Sequence, residues 1–68
     1  MRYAIVIEGE AGHYSTYVPD LPGCVAAGES IDDVTHDIAE AIQMYIDGLK
    51  EDRLEIPEPT TQIDYVEL

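Results

Sequence analysis

Val18-Pro19-Asp20-Leu21-Pro22-Gly23-Cys24 is the stretch on which the fold turns. Pro19 pushes Val18 into extended geometry. Pro22-Gly23 then supplies the fixed φ followed by the positive φ that a type II turn over Leu21 to Cys24 requires. A chain arriving as a strand must therefore reverse sharply here. Asp20 stands where a short carboxylate accepts a backbone N–H and braces the turn, a structural role that outweighs a catalytic one. Upstream, Gly9-Glu10-Ala11-Gly12 reads as a hairpin loop leading into a strand from His13 to Val18. Downstream, Cys24 to Ala27 reads as a third, short strand, and the small residues Ala26, Ala27 and Gly28 suit a close approach to the backbone by a helix or a neighbouring subunit.

Working outward again, Tyr3, Ile5 and Ile7 alternate with Ala4, Val6 and Glu8, which predicts a first strand buried on both faces and hence central. Ser30 is a good N-cap, and Asp32 and Asp33 place negative charge in the first turn, where the helix dipole favours it. Ile31, Val34, Ile38, Ala41, Ile42, Tyr45 and Leu49 then recur at three- and four-residue spacing, one apolar stripe facing the sheet. Asp33, His36, Asp37, Glu40, Asp47 and Glu51 fall on the other side, with Met44 among them as an adaptable apolar contact element. That face is either solvated surface or a partner-binding surface. Pro57 and Pro59 exclude further helix and give an extended connector. Ile63 and Tyr65 then predict a fourth strand beside the first and parallel to it, by the right-handed crossover rule. The expected architecture is α+β, β-β-β-α-β, a four-stranded mixed sheet in the order 3-2-1-4 with one helix on one face.

Charge and composition bound the function. At 68 residues there is room for a single domain with a thin core. With one cysteine there is no disulfide framework, so association with itself, at least as a dimer, is the expected supplement to stability. Cys24 reads as a small buried hydrophobe, and a lone unpaired thiol fits a reducing cytoplasm. Met1 to Ile7 is too short and too soon interrupted by Glu8 for a signal peptide or a membrane span. Three basic residues against fifteen acidic give a formal charge of −12. Such a charge opposes phosphate backbones and argues against direct nucleic-acid binding, while it suits a basic partner.

No Ser/His/Asp or Cys/His arrangement and no glycine-rich phosphate loop is present, and His13 and His36 are too far apart in the chain plan to chelate together. No cofactor, metal or enzymatic activity is expected. A two-metal site built on Glu8, Glu40 and Asp64 is the weakest reading, because a metal needs convergent ligands and so acidic a chain puts carboxylates everywhere.

The ordered set Gly12-His13-Tyr14, Val18-Pro19-Asp20-Leu21-Pro22-Gly23-Cys24, Ala27-Gly28-Glu29-Ser30, Glu40-Ala41-Ile42 and Ile56-Pro57-Glu58-Pro59 resembles the HicB family of antitoxins from type II toxin–antitoxin pairs, from Tyr3 to Pro59. The resemblance implies a HicB-like domain over residues 1–68 with a truncated ribonuclease-H-like fold. It also implies an antitoxin that neutralises a small basic mRNA ribonuclease of the HicA type. Asp33, Asp37, Glu40, Met44 and Asp47 are the candidate contacts, and inhibition would be steric and electrostatic. Two departures stand out. Arg53 replaces a glycine that many members carry after the helix, so the helix is expected to end without the usual left-handed glycine cap. The chain also stops at Leu68 where many members continue into a DNA-binding domain, so it reads as a short form and operator binding does not carry over. The alternative is a stand-alone HicB-like oligomeric interaction module with no toxin partner.

Overall fold

A computed structural model describes residues 1–68. Three strands, β1 (Val6–Glu10), β2 (His13–Tyr17) and β3 (Val25–Gly28), precede one helix, α1 (Ile31–Glu51). Both pairings are antiparallel, with Val6 opposite Tyr17 and Tyr17 opposite Val25, so the order is β1-β2-β3. The α+β class holds.

The turn forms as its sequence dictates. Gly23 takes φ 81°, and the Cys24 N–H donates to the Leu21 carbonyl at 3.1 Å, the closure of a type II turn. The Leu21 N–H donates to the Val18 carbonyl and the Val18 N–H to the Cys24 carbonyl. These bonds fold the loop inward, so that Leu21 is fully buried and forms the core with Val18, Cys24 and Ile38. Ser30 caps the helix by accepting the Asp33 N–H at 3.0 Å, and Val34 and Ile38 are buried beneath it. At Gly28 a Cβ would stand 3.2 Å from Val34 Cγ1 and 3.3 Å from Asp33 Cβ. A side chain there would oblige Val34 and Asp33 to give way by a few tenths of an ångström, which is the close approach the small residues foretold. Thr16, next to the end of β2, is the one buried polar residue, and its hydroxyl has no hydrogen-bond partner.

Three expectations are corrected. The fourth strand is not in the sheet: residues beyond Leu54 make no backbone–backbone hydrogen bond, and Ile63 and Tyr65 are exposed in a tail without regular structure. Side-chain anchors hold the connector in place of a ladder, and Pro57 and Pro59 have no N–H to contribute to one. Second, β1 is an edge strand and β2 is central, because nothing pairs with the outer side of β1; Glu8, Gly9 and Glu10 are exposed. Third, Ile31 is half-exposed at the first turn and does not join the core. As expected, no glycine caps α1; Arg53 itself takes the left-handed position, at φ 57°. The Arg53 N–H donates to the Lys50 carbonyl and the Leu54 N–H to the Leu49 carbonyl at 2.8 Å, the paired bonds of a Schellman motif.

An acidic helix stripe and a tethered loop

Spacing along α1 settles which of its acids share a face. Asp33, Asp37, Glu40, Met44 and Asp47 succeed one another by four, three, four and three residues, which confines them to an arc of about 80° and a length of about 21 Å on a regular helix. All five side chains are exposed, Met44 to 74 %. The helix turns this line away from the sheet because Val34 and Ile38, set about a third of a turn round, are drawn beneath it.

Little positive charge offsets the line. His36 Nε2 lies 3.0 Å from Glu40 Oε1, one helical turn away, and Gln43 Nε2 donates to Asp47 Oδ1 at 2.9 Å. Arg2, Lys50 and Arg53 make no ion pair with any carboxylate. Asp33, Asp37 and Met44 thus present unengaged side chains flanked by two acids that are lightly held by neighbours on the same helix. Such a surface can meet cationic groups at little cost in broken contacts, with Met44 as an apolar centre among charges.

Residues of the Pro19–Cys24 loop divide between core and surface. Leu21 and Cys24 are buried, Asp20 is half-buried, and Pro19, Pro22 and Gly23 are exposed. Burial pushes the Cys24 thiol up, away from the thiolate that a nucleophile needs. Asp20 does more than brace its own turn. Its Oδ1 accepts the hydroxyls of Thr60 at 3.0 Å and Thr61 at 2.9 Å, and its Oδ2 accepts the Thr61 N–H at 3.2 Å. Loss of water at this contact by itself raises the carboxyl's pKa, but the hydrogen bonds from Thr61 and Thr60 outweigh it, and the net shift is below the usual carboxylate value. A second tether lies close by: the Tyr3 hydroxyl donates to the Pro57 carbonyl at 2.6 Å. Desolvation, then the nearby Glu58 and Asp20 carboxylates, push that phenol up and keep its proton in place.

The sequence missed these tethers. Two adjacent threonines after Pro59 were the available signal for Asp20, and nothing marked Tyr3 for Pro57. Glu8 on β1, Glu40 on α1 and Asp64 in the tail are not brought together, and no group of three or more His, Cys, Asp or Glu side chains is placed to hold a metal ion. No helix is long and apolar enough to cross a membrane.

Against known proteins, a family model described as the HicB-like antitoxin of bacterial toxin–antitoxin systems matches residues 3–67. A 14.9 kDa protein from the rep–hol intergenic region of Haemophilus phage HP1 is 36 % identical over 66 residues, 97 % of this chain and 50 % of its own length. UPF0150 proteins of Archaeoglobus fulgidus and Thermoplasma acidophilum are 44 % and 40 % identical, over 74 % and 84 % of each chain. The chain thus spans half of the phage relative and most of the two archaeal ones. No solved structure matches it.

Proposed function

The chain belongs to the HicB-like antitoxin family of bacterial toxin–antitoxin systems, and from that premise we propose that it neutralises a small basic ribonuclease of the HicA type by covering the surface on which RNA phosphates bind. The observation that carries the reading is the exposed line Asp33, Asp37, Glu40, Met44 and Asp47, in a chain of net charge −12 in which no Lys or Arg pairs with a carboxylate. A row of carboxylates along a rigid helix offers a cationic groove the charge of a phosphate backbone without a cleavable bond. Electrostatic steering then speeds encounter, and the body of the domain excludes RNA. The Pro19–Cys24 loop is the second contact in this reading, since Pro19, Pro22 and Gly23 are exposed on a turn held rigid by its own hydrogen bonds. The chain contributes no catalytic group; inhibition is occlusion.

The test is a combined Asp33→Asn, Asp37→Asn, Glu40→Gln, Asp47→Asn variant, mixed with a small basic ribonuclease of the HicA type. All four side chains are exposed, so the variant's circular dichroism stays that of the parent. Its association rate at low salt falls about tenfold or more, and the parent's own rate falls as salt is added. A variant that associates and inhibits as fast as the parent at low salt overturns the acidic stripe as the contact.

A further inference from the structure

The C-terminal arm, Ile63–Leu68, has the composition of a strand and nothing to pair with. Four of its six residues are apolar, and Ile63, Tyr65, Val66 and Leu68 are all exposed, Tyr65 to 86 % and Val66 to 84 %. Its N–H groups donate to no other backbone; Tyr65 alone has a partner, the Oδ1 of the adjacent Asp64. The outer edge of β1 is equally bare, since β1 stands at the end of the sheet and pairs with β2 alone. No backbone hydrogen bond joins the tail to that edge, and Thr61–Ile63 lines an open cleft with Arg2–Ile5, the residues that precede β1. An exposed strand edge and an exposed apolar extended segment are each a recognised template for adding a strand, and this chain carries both halves of the joint.

We infer that the chain forms a two-fold dimer in which the arm Ile63–Leu68 of each copy adds as a strand to the outer edge of β1 of the other. Each arm leaves the body beside the start of its own β1, where Thr61–Ile63 faces Arg2–Ile5, so two copies meeting edge to edge need only exchange arms across the axis to make a reciprocal joint. The edge of β3 is the poorer acceptor: it is four residues long, and the helix crowds it at Gly28. The dimensions support a missing partner. The accessible surface is 5426 Å², against about 4,250 Å² for a compact monomer of this mass. The radius of gyration is 13.2 Å, where a compact chain of this length has about 11 Å. The excess of about 1,200 Å² exceeds the roughly 800 Å² that each partner of a standard stable interface hides. The acidic helix stripe stays free in such a dimer, so this inference stands independently of the toxin-binding reading.

The experiment is sedimentation equilibrium of the full chain across micromolar concentrations at low and at about 0.5 M salt, with amide exchange of residues 62–68 measured on the same samples. The parent sediments as a dimer. Its dimer tightens as salt rises, because two chains of −12 repel. The arm amides gain protection in step with dimer formation. A Val66→Pro variant removes one ladder donor from each of two symmetric joints, and it weakens dimerisation about thirtyfold. A second variant, Tyr65→Asp, gives the same direction by adding charge to the apolar arm. Neither variant alters the helix content or the binding of the basic ribonuclease. A parent that remains monomeric overturns the inference, as does a dimer indifferent to both arm variants, or arm protection that does not change with concentration and so arises within one chain.

Discussion

Two residues hold left-handed backbone outside the hairpin, one suited to it and one not. Gly23 at φ 81° is i+2 of the type II turn, and a Cβ added there meets nothing within 4 Å. Substitution is therefore a test of backbone strain alone. Gly23→Val lowers stability by about 1–3 kcal/mol, read as a drop in the midpoint of urea unfolding, and a midpoint equal to the parent's refutes the turn. Arg53 at φ 57° bears the opposite strain: a long side chain sits where the Schellman cap favours glycine. Arg53→Gly keeps both capping bonds and relieves the conformation, so the midpoint rises by an amount worth about 1 kcal/mol, less the greater freedom glycine has when unfolded. The sequence shows that a cap glycine is absent; that Arg53 takes the left-handed position in its place is decided by the paired bonds to the Lys50 and Leu49 carbonyls, which hold a non-glycine residue there.

Among the elements, the connector between α1 and the arm is governed by Asp20. Its hydrogen bonds to Thr60 and Thr61 cross 40 and 41 residues of chain, and they favour the ionised carboxylate. The sign follows from the direction of the shift. A pKa lower in the folded than in the unfolded chain makes a contribution to stability that is complete above the unfolded value, about 3.9, and is lost as pH falls through the lower folded value. Asp20→Ala is accordingly less stable than the parent at neutral pH, and the gap between their thermal midpoints is constant down to about pH 4 and closes below it. A gap unchanged into strong acid means that the carboxylate's charge is not what the threonines hold. The same variant loosens the tail, seen as faster proteolysis near Thr60, while the sheet and the buried face of α1 keep their amide protection.

For the whole molecule, salt separates the two associations argued above. Contact between the acidic stripe and a basic ribonuclease weakens as salt screens it, whereas self-association of two chains of −12 strengthens for the same reason. A titration of both on one preparation gives opposite slopes; parallel slopes refute at least one contact. What the sequence by itself determined is everything encoded within a few residues: the type II turn at Pro22-Gly23, the Ser30 cap, the apolar stripe of α1 and the acidic line opposite it. Each arises from neighbours three or four positions apart, where backbone geometry and residue type leave little choice. Its ordered motifs were legible enough to give the family as well. Only the tertiary structure decided that β1 lies at the edge, that the predicted fourth strand stands apart as an arm, and that Asp20 and Tyr3 tie down the tail. Those outcomes depend on which unpaired backbone and which distant side chain come within reach after folding. Alternation along Ile63 and Tyr65 marks a segment able to be a strand, but a strand needs a partner, and no local pattern names one.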